Sequence, residues 1–149
     1  MKNFLIVLLL SVVGISGCKK DKSKTSSDDT VVDLTHLQGT WYTTSQKTAY
    51  FNSSNAQVGE DPITPGIKYI ISSDQIKYTY LTNAVDRKAY SVSTVGGKSK
   101  ITIGVGDTAE TYDLISVSEK VMTWTQESPS QKYGSAKMVT TIEFHCPCR

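Results

Sequence analysis

The chain begins with an apolar run and then, after a polar gap, alternates apolar and polar side chains almost to its end. Phe4 to Val13 is apolar except for Ser11, and Lys2 places a positive charge ahead of this run. The run is too short to span a bilayer comfortably but has the length of the core of an export signal. Residues 1–17 are therefore predicted to be a signal peptide that does not belong to the fold.

Strand-forming residues dominate from residue 40 onward, and Gly, Asn, Asp, Ser or Pro interrupts them about every eight to twelve residues. Ile76, Tyr78 and Tyr80, for example, alternate with Lys77 and Thr79. A period of two gives each strand one face to bury. The pattern predicts eight strands, at approximately 41–51, 67–72, 76–81, 88–95, 100–105, 110–117, 120–127 and 137–145.

Most of the connections between these strands are too short for anything except a hairpin between neighbours. A meander of eight strands can remove its exposed edges by pairing the first strand with the last. The predicted fold class is therefore all-β, an eight-stranded antiparallel up-and-down barrel. Short turns at 73–75, 96–99 and 118–119 would close one end, and long loops at 52–66 and 128–136 would surround the other end, the mouth.

A short motif follows the apolar run. Ile15-Ser16-Gly17-Cys18 resembles the lipobox of bacterial lipoproteins. The resemblance implies that Cys18 is acylated and that this lipid holds the chain on a membrane; an ordinary secretory signal with a chance cysteine is the alternative. In many Gram-negative lipoproteins an aspartate after the cysteine favours inner-membrane retention. Lys19 stands there in this chain, which implies the outer membrane, on its periplasmic side or at the cell surface.

Residues 18–33 are predicted to be the lipidated cysteine and a flexible tether. They contain no large apolar side chain before Val31, so they cannot bury enough surface to offset the entropic cost of ordering. Residues 34–149 remain for the barrel, which is the size of one domain.

The first predicted strand is preceded by Leu37-Gln38-Gly39-Thr40-Trp41, which resembles the Gly-x-Trp signature of lipocalins and of bacterial lipocalin-like lipoproteins. The segment from Tyr112 to Trp124 looks like the sixth and seventh strands of that family. The resemblance implies that Gly39 lets the backbone turn closely into the barrel and that Trp41 packs across its floor. It also implies a short helical turn at 33–38, capped by Asp33, a lid formed by the 52–66 loop, and an arginine against the floor tryptophan, for which Arg149 is the candidate.

The interior of an eight-stranded barrel is either filled by side chains or wide enough for one small ligand. If Trp41 faces inward, alternation carries Thr43 and Ser45 inward with it, and Phe144 faces inward on the last strand. Both a filled core and a cavity for an apolar or aromatic ligand are compatible with this pattern; a pocket below roughly 300 Å³ would weaken the second. The ligand-binding candidates are Tyr69, Tyr78, Tyr80, Tyr90, Tyr112 and Trp124.

The charges and histidines indicate neither nucleic-acid binding nor catalysis. Only Lys2 is charged among the first seventeen residues, so the rest of the chain keeps 15 of the 16 basic and all 14 acidic side chains and is nearly neutral. Neither His36 nor His145 belongs to a nucleophile or metal-helix motif. The acidic residues are assigned to the tether, the turns and outward-facing strand positions. We therefore expect no enzyme activity and no cofactor.

The end of the chain is unusual. His145-Cys146-Pro147-Cys148 leaves two cysteines in an oxidising compartment once Cys18 carries the lipid. They could form a strained disulfide with each other or one with another chain. Together with His145 they could instead bind a soft metal ion, or they could remain thiols.

Two functions are compatible with these features. The first is a lipocalin-like binding protein, held on the outer membrane by its lipid, that takes one small apolar or aromatic ligand or a partner at its mouth. The alternative is a structural or interaction lipoprotein, an adapter or inhibitor, with a filled barrel that acts through its rim loops.

Overall fold

A computed structural model describes residues 31–63, 66–80, 82–83 and 85–147. The predicted signal peptide, Cys18 and most of the predicted tether lie outside these residues. None of the helices within them is long and apolar enough to cross a membrane. The described strands are β1 (Gly39–Phe51), β2 (Gln57–Ile63), β3 (Lys68–Ile71), β4 (Gln75–Thr79), β5 (Val85–Val95), β6 (Lys98–Ile103), β7 (Glu110–Val117), β8 (Val121–Pro129) and β9 (Lys137–His145), with single 3₁₀ turns at Gly106–Thr108 and Lys132–Gly134.

The sheet closes into a barrel, as the sequence predicts. β3 to β9 follow one another as antiparallel neighbours, β3 pairs with the start of β1, and β9 pairs with β1 from Tyr42 to Phe51. The closed ring therefore consists of eight strands, β1 and β3 to β9, and the predicted fold class is confirmed. Closure leaves no free edge within this ring.

The segment predicted as a loop at 52–66 contains β2, so this part of the prediction is wrong. β2 pairs with the second half of β1, from Gln46 to Phe51, beyond the point where β3 pairs with it. β1 is long, and without β2 this half would present unpaired backbone groups on one side. The sequence of β2, with Gly59, Asp61 and Pro62, does not look like a strand. Proline is tolerated there because β2 has a sheet partner on one side only.

A β-bulge in β1 changes which of its side chains face inward. Trp41 and Thr43 are buried, as predicted, but the register with β9 shifts between Thr43 and Ser45. Ser45 then lies opposite the exposed Glu143, so the prediction that it faces inward is wrong. From the bulge onward the opposite alternation holds, and Tyr50 turns inward with only 6% of its surface exposed. One inserted residue is enough to exchange the two faces of a strand.

The core fills the closed half of the barrel. Trp41 is fully buried, and its indole Nε1 donates a hydrogen bond to the backbone oxygen of Leu37 at 3.0 Å. Phe144 is buried as predicted. The buried apolar side chains are Leu37, Trp41, Tyr69, Ile71, Ile76, Tyr78, Ile101, Ile103, Leu114, Met122, Trp124, Ile142, Phe144 and Cys146.

The segment before β1 crosses the closed end. It forms one turn, in which the backbone N–H of Leu37 donates to the oxygen of Leu34 at 3.0 Å. The Asp33 carboxylate accepts the backbone N–H of Thr35 at 2.9 Å, in the manner of a cap. The backbone N–H of Val32 donates to the hydroxyl of Ser99 at 3.2 Å, so attachment to the barrel begins within the predicted tether.

The buried indole of Trp41 should dominate the stability of the closed end. We expect Trp41→Ala to lower the free energy of unfolding by about 3–5 kcal/mol, because it empties a fully buried site and removes the bond to Leu37. The matched control is Tyr42→Ala, at a neighbouring position that is 41% exposed, with an expected loss under about 1 kcal/mol. Urea denaturation of both variants measures the difference. Equal losses would show that the indole does not support the floor.

Candidate functional site

The mouth of the barrel has walls of unequal height. β1 continues from Tyr42 to Phe51 beyond its pairing with β3, and β8 and β9 stay paired as far as Pro129 and Lys137. We call β8, β9, β1 and β2 the tall wall. On the other side, the pairing of β3 with β4 ends at Lys68 and Thr79.

A cavity of about 150 Å³ lies at the mouth, above the packed core. Five of the six predicted ligand-binding residues line it. The sixth, Tyr90, lies elsewhere: its hydroxyl donates to the backbone oxygen of Ser72 at 2.7 Å, in a turn at the closed end. The lining residues are Tyr69, Tyr78, Tyr80, Lys88, Ile103, Glu110, Tyr112, Trp124 and Ile142.

The volume of this cavity restricts what it can hold. It is half of the roughly 300 Å³ that marks the lower bound for ordinary small-molecule sites. A cavity of about this volume still accommodates a molecule the size of benzene. The interior is thus filled in its lower half and open above it, so neither of the two alternatives drawn from the sequence holds throughout the barrel.

The aromatic rings around the cavity hold one another in place. The ring of Tyr69 packs edge to face against Tyr78, Phe144 and Trp124, with ring centroids 4.9, 5.1 and 5.9 Å apart. Tyr112 lies 5.7 Å from Trp124 in a tilted arrangement. Such contacts are favourable beyond the burial of area. The aromatic wall is therefore formed before any ligand arrives.

Three polar groups in the cavity wall have no hydrogen-bond partner among the described residues. The indole Nε1 of Trp124 is buried and unpaired, and the hydroxyls of Tyr69 and Tyr78 likewise receive no partner from this part of the chain. Burial raises the pKa of both tyrosines well above the ordinary value. Both hydroxyls therefore remain protonated at neutral pH and can donate.

The rim of the cavity carries one cation and one carboxylate. Lys88 lies opposite Ile76 on the neighbouring strand, and Glu110 lies opposite Ile103, so both share the inner face of the sheet. The hydroxyl of Tyr112 donates to Glu110 at 3.3 Å. Burial, and then the charge and the hydrogen bond of Glu110, raise the pKa of Tyr112 to about 12.

Glu110 corrects the prediction that the acidic residues of the strands face outward. It stands two positions before Tyr112 on β7, and side chains two apart share a face. The assignment of Tyr112 to the inner face therefore implied the same face for Glu110. Lys88 could have been found in the same way, since it stands two positions before Tyr90 on β5.

A second group of side chains ties the loop 130–136 to β2. The Asp61 carboxylate accepts hydrogen bonds from the hydroxyls of Tyr50 and Tyr133 at 2.9 and 2.8 Å and forms an ion pair with Lys132. We call these four residues the Asp61 cluster. The ammonium of Lys132 also lies 5.2 and 4.9 Å from the ring centroids of Tyr50 and Tyr133, within the range of cation–π attraction.

Gly59 leaves space for the ring of Tyr133. A Cβ at this position would overlap the ring of Tyr133, so only glycine lets the ring approach the backbone of β2. Tyr133 itself has a φ of 57°, a conformation that costs free energy for a non-glycine residue and is held here by the surrounding contacts. The lid predicted for 52–66 is therefore replaced by a β-hairpin, against which the loop 130–136 folds.

At the C-terminal end, His145 closes β9 and Cys146 follows it. His145 is exposed, whereas Cys146 is buried in the core. The described residues contain no group of three or more potential metal ligands. Cys148 and Arg149 lie outside the described residues, and with them the predicted disulfide, the full metal set and the arginine at the floor.

No protein-family model and no curated protein matches the chain. Among solved structures, it is similar to a lipocalin-like protein from Bacteroides uniformis, with 10% identity, a TM-score of 0.41, and coverage of 74% of this chain and 97% of that chain. A DUF4909 family protein from Staphylococcus aureus matches with 13% identity, a TM-score of 0.36, and coverage of 74% and 98%. The fold class follows from the strand pairing itself.

The Asp61 cluster should weaken in acid. Hydrogen bonds from Lys132, Tyr133 and Tyr50 hold the pKa of Asp61 below its ordinary value. A lowered folded-state pKa means that the contribution of Asp61 to stability is complete above the unfolded pKa of about 3.9 and is lost as the pH falls through the folded value. NMR titration of the Asp61 carboxyl carbon measures that value.

Removal of one donor provides the control for this titration. We expect Tyr133→Phe to raise the pKa of Asp61, because the variant keeps the ring and loses the hydroxyl at 2.8 Å. Tyr42→Phe, on an exposed position that faces away from the barrel interior, should leave it unchanged. An Asp61 that titrates at the ordinary value in the unmodified protein would refute the cluster.

Proposed function

We propose that this protein is a non-catalytic binding protein for one small, single-ring molecule, which it holds in the cavity at the mouth of its barrel. The observation that carries the proposal is the cavity itself. Five aromatic side chains line it, and all of them belong to the ligand-binding candidates predicted from the sequence. A concave site with an aromatic wall and a few polar groups is the usual form of a small-molecule site.

The volume of the cavity limits the proposed ligand to a small molecule. About 150 Å³ admits one ring and a few further atoms, with additional groups emerging at the rim beside Lys88 and Glu110. Because the rings of Tyr69, Tyr78 and Trp124 already support one another, little side-chain order has to be created on binding. Preformed walls favour affinity despite the small buried area.

Binding rather than catalysis is supported by the acid–base properties of the cavity. A general acid or base works best when its pKa lies near the operating pH. The pKa values of Tyr69, Tyr78 and Tyr112 are all raised, by burial above all, so these hydroxyls are poor bases at neutral pH.

Attachment to the outer membrane through Cys18 is a further part of the proposal. It is supported by the lipobox-like sequence and by the place where the chain joins the barrel. Val32 contacts Ser99 at the closed end, and β1 begins there at Gly39. A lipid at Cys18 would therefore lie on the side of the closed end, with the mouth directed away from the membrane.

The alternative function, an adapter or inhibitor that acts through its rim, is favoured by one observation. The cavity is only half the size of an ordinary small-molecule site. The tall wall, with the loop 130–136 clamped against β2, would then be the surface that meets a protein partner.

Native mass spectrometry of the protein purified from its own host tests the binding function. We expect a reproducible adduct of single-ring size. Ile103→Phe should abolish it, because Ile103 is buried and lines the cavity, at a cost in stability of about 1–3 kcal/mol. Val105→Phe introduces the same side chain at a position that is 76% exposed and should retain the adduct.

The outcomes of this experiment separate the two functions. An adduct that survives in a folded Ile103→Phe variant would place the ligand elsewhere and contradict the proposal. A protein without any adduct, but with a reproducibly co-purifying protein, would favour the adapter. Thermal unfolding establishes that both variants are folded.

The lipid anchor has its own test. We expect metabolic labelling with a radioactive or clickable fatty acid to mark the protein without substitutions, because acylation requires the Cys18 thiol. Cys18→Ser should abolish the label and release the protein from the membrane fraction. Cys146→Ser is the control, since that thiol is buried in the core. Membrane association that persists in unlabelled Cys18→Ser would exclude the lipid as the anchor.

A further inference from the structure

Side chains that line the cavity carry hydrogen-bond donors that the described residues leave unused. They are the indole N–H of Trp124 and the hydroxyls of Tyr69 and Tyr78. Two comparable groups elsewhere in the barrel are paired. The indole of Trp41 donates to Leu37 at 3.0 Å, and the hydroxyl of Tyr90 donates to Ser72 at 2.7 Å.

These unpaired donors indicate what an occupant must supply. An indole N–H can only donate, so its partner has to be an acceptor. Buried polar groups in folded proteins are nearly always paired, and an unpaired one calls for a partner such as an ordered water molecule or a ligand. Tyr69 and Tyr78 are paired across β3 and β4, and Trp124 packs against Tyr69, so the three donors belong to one part of the wall.

The two charged side chains of the cavity are more exposed than the rings of its wall. Lys88 is half-buried and Glu110 is exposed. A ligand carboxylate or ammonium placed beside Tyr69 and Tyr78 would lose much of its hydration, and a carboxylate would in addition be repelled by Glu110, whose charge acts on both hydroxyls. A neutral acceptor, such as a ketone or amide oxygen or a ring nitrogen, would be paired at a much lower desolvation cost.

We infer that the ligand is a neutral aromatic molecule of one ring whose buried end is a hydrogen-bond acceptor, received by Tyr69, Tyr78 and Trp124. This inference rests on the proposed function and makes it more specific. An aliphatic chain would leave the donors unpaired and is excluded as the preferred ligand.

Four probes of similar size separate the effect of a hydrogen-bond acceptor from the effect of charge. Acetophenone presents a neutral acceptor, ethylbenzene has nearly the same shape without one, benzoate carries a negative charge, and benzylammonium carries a positive charge. NMR titration of the isotopically labelled protein yields both the affinities and the residues affected. We expect acetophenone to bind roughly two- to tenfold more tightly than ethylbenzene, the effect of one additional net hydrogen bond, and more tightly than either ion.

The two indole N–H signals provide an internal comparison. The Trp124 signal should shift on addition of acetophenone, because its N–H gains an acceptor. The Trp41 signal should stay in place, since that N–H is already bonded to Leu37 at the other end of the barrel. Ethylbenzene should move the Trp124 signal much less.

Conservative variants test the hydroxyls without removing the rings. The double variant Tyr69→Phe with Tyr78→Phe should reduce the preference for acetophenone over ethylbenzene and leave the affinity for ethylbenzene nearly unchanged. Tyr90→Phe removes a hydroxyl bonded at the closed end and should preserve the preference. The amide spectrum of each variant establishes that it is folded.

The outcomes distinguish a failure of the inference from a failure of the proposed function. Equal binding of acetophenone and ethylbenzene in the cavity, or tightest binding of benzoate or benzylammonium, overturns the inference and leaves the cavity as a ligand site. Absence of binding by all four probes, or shifts confined to residues outside the cavity, overturns both.

Discussion

The backbone pairing of β1 with β9 is the constraint on which the rest of the structure depends. It turns a meander of hairpins into a ring and creates an interior with two different ends. The first strand begins at the closed end, where Trp41 and the segment from Val32 to Gly39 cover the core. Without closure there would be no enclosed space at the mouth in which the aromatic side chains of opposite strands could converge.

The length of β1 then makes the two sides of the mouth unequal. Its second half rises past β3, takes β2 as a partner and continues alongside β9. The bulge after Thr43 turns Tyr50 inward, where Asp61 on β2 and the loop 130–136 meet it. The bulge therefore places Tyr50 where the Asp61 cluster can form, and this cluster covers the tall wall.

The cavity beside this wall combines apolar shape with unused donors. The rings that define it are fixed by edge-to-face contacts, while the N–H and O–H groups of three of them receive nothing from the described residues. An apolar ligand would satisfy the shape and leave the polar groups unpaired. A ring with a neutral acceptor satisfies both, and this combination is the physical basis for the proposed ligand class.

The sequence by itself determined the features that are local. Alternation of apolar and polar residues, with turn residues at regular intervals, predicted the all-β class and the closed meander, and five of the six ligand-binding candidates from the sequence line the cavity. These predictions succeed because the direction of a side chain from a regular strand depends only on its position along that strand. By the same rule Glu110 and Lys88 were predictable from Tyr112 and Tyr90.

The tertiary structure alone decided what depends on a partner strand. The bulge that turns Ser45 outward arises from the register with β9, and β2 exists because β1 extends beyond β3. Tyr90 is on the predicted face of its strand, but its hydroxyl already donates a hydrogen bond to the backbone oxygen of Ser72, eighteen positions away in the chain. The volume of the cavity likewise depends on how side chains from several strands fill a shared space. Alternation along a single strand carries no information about such distances, because they are set only when the strands meet.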